Sequence, residues 1–146
     1  MVSPSITLSL CSFYQEILSQ LDSSTDVSQD ILEILDLVFP SQLEPALQLI
    51  DQKAVHVYEC QDSGRQISLV QGRSTVYLVL NEFCSCPAFT YTVLKDTSLL
   101  CKHQLAVRLF KAFDFPFEHI NDYQMGQLMT THSRIPSERL LMDGFD

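Results

Sequence analysis

The sequence predicts an α+β fold: N-terminal helices, a three-stranded antiparallel meander closed by a cysteine-bearing turn and a following helix, and a short C-terminal helical tail. Apolar residues recur at helical steps as far as Ile50, alternate between Val55 and Leu80, and return to helical steps after Leu105. Between the last two patterns lies an irregular stretch, 84–103, that holds three of the five cysteines.

In the first helix Ile6, Leu10, Phe13, Ile17 and Leu21 fall three or four residues apart, and Tyr14 and Leu18 widen the stripe. The run 23–26, Ser-Ser-Thr-Asp, breaks it, and Asp26 with Gln29 has the spacing of a cap for a second helix. Ile31, Ile34, Leu35 and Val38 form that helix's apolar face, and Phe39-Pro40 ends it. Ser41 and Glu44 have capping-box spacing for a short third helix through Ala46, Leu47, Leu49 and Ile50, with Pro45 tolerated in its first turn.

After Lys53 the period becomes two. Val55 to Cys60 reads as a strand, Asp62-Ser63-Gly64 as a turn, Ile67 and Leu69 as the second strand, and Gly72 as the next turn. Thr75 to Leu80, β-branched and aromatic, is the third strand. Leu105, Ala106, Leu109, Phe110 and Ala112 predict a helix ending near Phe113, because Pro116 prevents a smooth continuation. Asn121 and Gln124 then cap a last short helix bearing Met125, Leu128 and Met129.

The bulk numbers bound the class. Of 146 residues, 46% are apolar and 18% charged, which describes a globular chain. No apolar run reaches the roughly 18 residues of a membrane span, and Met1 to Leu10 lacks the basic residues of a secretory signal, so a soluble, intracellular protein is expected. Five cysteines, unevenly spaced, do not make a secreted disulfide scaffold. The net charge of −9 is unevenly spread: residues 1–52 hold eight acids and no base, residues 53–113 carry +3, and residues 114–146 carry −4. An acidic end repels phosphate and a basic middle attracts it, so two kinds of partner are possible.

Cys84-Ser-Cys86-Pro87 is followed, after fourteen residues, by Cys101-Lys-His103. Three thiolates and an imidazole complete the tetrahedral shell of a structural zinc ion, one per chain. Side chains at i and i+2 diverge on straight strands and helices, so both pairs must sit where the backbone turns. Cys101 at a helix entrance, with Lys102 beside it, places the thiolates in a favourable field. With no open position, such a metal is structural, and no catalytic residue is expected. A redox pair or a cysteine–His103 nucleophile is the competing enzymatic reading; four metal ligands leave it no free thiolate.

The pattern C-x-C-(n)-C-x-H, after strands and before a helix, resembles the SWIM zinc-binding domain over residues 54 to 113. The runs Cys84-Ser-Cys-Pro-Ala-Phe89 and Leu100-Cys-Lys-His103 are similar to those of the small eukaryotic Shu-complex SWIM subunits. That resemblance implies an acidic helical segment (1–53), the SWIM domain (54–113) and a helical tail (114–146). It also implies a nuclear, non-enzymatic subunit that pairs with a RecA-like recombinase paralogue in homologous recombination repair and meiosis, meeting single-stranded DNA only through the complex. SWIM domains in transposases and chromatin remodellers offer the alternative of a stand-alone DNA- or protein-binding module, which −9 disfavours.

Lys95, Lys102, Arg108 and Lys111 against Asp96 form a candidate nucleic-acid surface, with Phe89 or Tyr91 available for stacking. A solvated helix face with those aromatics in the core explains the same residues, and is the better account of the chain by itself. The stripe Ile6, Leu10, Phe13, Ile17, Leu21 is a candidate partner surface; covering the meander as part of one core is a second use for it. Cys11 and Cys60 lack metal spacing and read as packing residues. His56 reads as a strand-face residue, and His119 and His132 as surface or packing residues of the tail.

Overall fold

The change of period at Lys53 is the change from helix to sheet. The computed structural model describes residues 4–23, 26–93 and 100–132, with side chains from residue 12 onward and excepting 92–93. Helices α1 (Pro4–Ser23), α2 (Gln29–Val38) and α3 (Leu43–Asp51) precede strands β1 (Val55–Cys60), β2 (Gln66–Gln71), β3 (Val76–Leu80) and β4 (Phe83–Cys84). A π-helical turn (Phe89–Val93), α4 (Lys102–Ala112), β5 (Glu118–Ile120) and α5 (Asp122–Thr131) follow.

The three expected strands form an antiparallel meander, but the sheet has five strands in the order β4-β3-β2-β1-β5. β4 adds a two-residue hairpin to β3, and β5 lies parallel to β1 with Tyr58 opposite Glu118 and Cys60 opposite Ile120. Elements of two and three residues are too short to display a period, which is why the sequence predicted only the meander.

Side chains alternate across the sheet and both faces are covered. On one face Val55, Val70 and Val79 join Leu105 and Leu109 of α4, Leu43 and Ala46 of α3, Leu35 of α2, and Ile17, Leu18 and Leu21 of α1. On the other, Tyr58, Ile67, Leu69 and Leu78 pack with Ile120 and with Met125 and Leu128 of α5. Burial beneath α5, helped by Glu118, pushes the Tyr58 hydroxyl above its ordinary pKa. The segment 1–53 thus shares its core with 54–113 rather than standing off from it.

Two caps differ from expectation. Ser28, not Asp26, caps α2: its Oγ accepts the Ile31 N–H at 3.2 Å, because the helix begins at Gln29 itself. Ser41 does not cap α3; the Phe39 carbonyl accepts the Gln42 and Leu43 amides at 3.1 and 3.0 Å, and this tight backbone turn replaces a side-chain cap. The cap of α5 is the expected one, with Asn121 Oδ1 accepting from Gln124 N at 2.8 Å and Gln124 Oε1 from Asn121 N at 3.0 Å.

Gly72 closes the β2–β3 turn, its N–H bonded to the Thr75 carbonyl at 2.8 Å. A Cβ there would lie 2.5 Å from the Tyr77 ring and 2.8 Å from that carbonyl, so only glycine fits.

Candidate metal centre

The site is built by two turns brought together. The first follows β4. Cys84 is the last residue of that strand, and Ser85 turns the chain by bonding twice to Leu78 of β3: its N–H donates to the Leu78 carbonyl at 3.0 Å and its Oγ accepts the Leu78 N–H at 2.9 Å. Pro87 follows, and the Phe89 N–H folds back to Cys86 Sγ at 3.3 Å. The second turn is the start of α4. Cys101 is its N-cap in extended conformation, the Gln104 backbone N–H points at its sulfur, and Gln104 Oε1 accepts the Cys101 N–H at 2.9 Å. That is a capping box with sulfur in place of the usual hydroxyl. His103 then lies in the first helical turn.

Cys84, Cys86, Cys101 and His103 are all buried, and their ligand atoms lie within 4.8 Å of one another. Cys101 Sγ stands 3.9 Å from His103 Nδ1. A tetrahedral zinc with bonds of about 2.0–2.3 Å sets its donor atoms about 3.5–3.7 Å apart, so closure asks each for less than about 1 Å. The donor set, three thiols and an imidazole with no carboxylate, suits zinc and leaves no position for a reacting water. Tyr77 of β3 lies against the His103 ring, centroids 4.9 Å apart, and limits its rotation.

The three sulfurs compete for protons. Hydrogen bonds from the Cys101 and Cys84 side chains hold the Cys86 thiol far below its ordinary pKa, against burial, with His103 and the Phe89 amide assisting. Hydrogen bonds with Cys101 and Cys86, and then burial, push Cys84 far up. Cys101 settles at about 11, drawn down by Cys84 and driven up by Cys86 and by burial. A divalent cation, which binds all three sulfurs as thiolates, removes that competition. Zinc with three thiolates would leave one net negative charge, beside the N-terminus of α4, with Lys102 next in sequence to Cys101 and His103.

The other candidates are placed differently. Lys95 lies outside the described residues. Lys102 and Lys111 are nine residues apart on α4, about half a helical turn round the axis, so they do not share a face. Arg108 pairs with Asp22 at the end of α1. Lys111 is half-buried; desolvation lowers its pKa, the Asp22 carboxylate opposes this and Arg108 adds to it. Phe89 is buried edge-on against Phe83, centroids 5.5 Å apart, whereas Tyr91 is exposed. The side chains of Ile6, Leu10 and Cys11 lie outside the described set; Phe13 is exposed, and Ile17 and Leu21 are buried in the chain's own core. Cys60 is buried and its thiol donates to Asp122 Oδ1 at 2.6 Å. His56 Nδ1 sits 3.7 Å from Glu118 Oε1, His119 is exposed on β5, and His132 follows α5. None of these histidines belongs to the cluster.

Reading the sequence alone missed Ser85, Tyr77 and Gln104. The three-residue step from Cys101 to Gln104 was a usable signal; the other two act through β3 and left none.

Residues 74–109 match the SWIM zinc finger family, inside the 54–113 range. The chain is 33% identical to zinc finger SWIM domain-containing protein 7 of Mus musculus over 129 residues, 82% of this chain and 84% of that protein. It is 31% identical to the Danio rerio protein of the same name, covering 84% of this chain and 93% of that one. For the Homo sapiens protein the figures are 36% identity, 65% and 73%. No solved structure matches the chain.

Proposed function

This chain belongs to the family of zinc finger SWIM domain-containing protein 7, and from that premise we propose that it is a non-catalytic subunit of a Shu-type complex. In that role it pairs with a RecA-like recombinase paralogue in the nucleus and promotes homologous recombination in DNA repair and meiosis. The observation that carries the non-catalytic part is the closed, fully buried Cys84–Cys86–Cys101–His103 cluster, which offers zinc four ligands and a substrate nothing. The partner part is supported by the resemblance of the runs 84–89 and 100–103 to Shu-complex SWIM subunits.

Single-stranded DNA is met through the complex. The chain's net charge of −9 and the pairing of Arg108 with Asp22 both disfavour tight binding by the isolated chain. A stand-alone DNA-binding module would instead show strongly salt-dependent binding by itself.

The test is affinity purification from cells with mass spectrometry, comparing wild type with His103→Ala. A recombinase paralogue should accompany wild type and be lost from the variant. Wild-type purifications that contain no recombinase-like protein would remove the reading.

A further inference from the structure

The exposed edge of α2 carries two parallel rows. Ile31, Ile34 and Leu37 stand at three-residue steps, with Ile34 37% and Leu37 82% exposed. Asp30, Glu33 and Asp36, all exposed, each precede one of them, so an acidic row runs beside the apolar one. Half-buried Ile31 still leans on the core, but the helix does not need the other five side chains to hold its place: Ser28 caps it, and buried Leu35 and Phe39 anchor it. Exposed Phe13 of α1 stands beside Tyr14, whose ring centroid is 6.2 Å from that of Phe39 at the end of α2, and is a further exposed apolar side chain in the same part of the molecule.

The charge decides what covers this strip. Residues 1–52 contain eight acids and no base, so these carboxylates find no cation within their own segment. A second copy, at −9, would bring more negative charge to it, and the 114–146 segment carries −4. We propose that the Ile31–Ile34–Leu37 edge of α2, with its acidic row, is a docking strip for a cationic amphipathic helix of a protein partner. Leucine-type side chains of that helix would pack on Leu37 and Ile34 while lysine or arginine flanks meet Asp30, Glu33 and Asp36. This names the chemistry of the partner's contact and so rests on the adaptor reading, yet its test does not require that partner.

The probe is a synthetic amphipathic helix of roughly 18 residues, leucine on one face and lysine on the other, added to the full zinc-loaded chain. Controls are a scrambled peptide of the same composition and a leucine–glutamate counterpart. Amide shifts should be confined to α2 and the region of Phe13. Leu37→Ser should weaken binding at least about tenfold, with zinc content and thermal unfolding unchanged. The combined Asp30→Lys, Glu33→Lys, Asp36→Lys variant should transfer the preference to the glutamate peptide. Equal binding of the scrambled peptide, shifts centred elsewhere, an indifferent Leu37→Ser, or self-association of the wild-type chain that Leu37→Ser abolishes would each overturn the proposal. A positive peptide result without a recombinase paralogue in cell purifications would keep the strip and discard the partner's identity; the converse would separate them the other way.

Discussion

At the scale of residues, each metal ligand is also part of a backbone turn, so losing one costs both functions. Structural zinc supplies about 10–16 kcal/mol of apparent binding free energy, as much as the whole stability of an ordinary domain. Cys101→Ala or His103→Ala should therefore unfold the sheet and α4, seen as a loss of circular dichroism and of bound zinc together; unchanged spectra would contradict this. Gly72→Ala should destabilise by about 1–3 kcal/mol in chemical denaturation, because the new methyl group collides with the Tyr77 ring and the Thr75 carbonyl. The four ligands were legible in the sequence because residue type and spacing alone limit what cysteine and histidine pairs do. Ser85 and Tyr77 were not, since their importance depends on Leu78 and His103, their neighbours only after folding.

At the scale of elements, legibility followed length. Apart from the π-helical turn Phe89–Val93, which lies in the stretch read as irregular, helices and strands of five or more residues announced themselves by period or composition, and the α5 cap by the Asn121–Gln124 step. β4 and β5 gave no signal, as their pairing is owed to the strands already laid down. The caps of α2 and α3 were misplaced because the capping-box spacing favoured Asp26–Gln29 and Ser41–Glu44, whereas Ser28 caps α2 without a partner at its third position and α3 starts from the Phe39 carbonyl. The α5 cap offers a clean measurement. Asn121→Ala should cost about 1 kcal/mol and speed hydrogen exchange first in α5, the helix that seals Tyr58 and Leu69 from solvent. Equal acceleration across the sheet would show that α5 does not open by itself.

At the scale of the whole molecule, one core joins α1 to the zinc-bearing turns, so metal and tertiary structure should be lost in one transition. Titration of the native protein with a strong chelator should unfold it cooperatively at one zinc per chain. Protons should do the same. Each ligand thiol must lose its proton to solvent before its sulfur binds the metal, and the hydrogen bonds and burial that raise Cys84 and Cys101 oppose that loss; zinc is therefore retained at higher pH and released as pH falls. A release curve independent of pH, read with a metallochromic dye, would count against thiolate ligation. The two ligand pairs have one more consequence. Because one ion would grip both Cys86 and Cys101, whose sulfurs lie within 4.8 Å of one another, it fixes the separation of those two points of the chain. Each doubling of the chain length between two such fixed points adds only about 0.6 kcal/mol of closure entropy, so zinc affinity should depend far more on the four ligands than on how many residues connect the pairs.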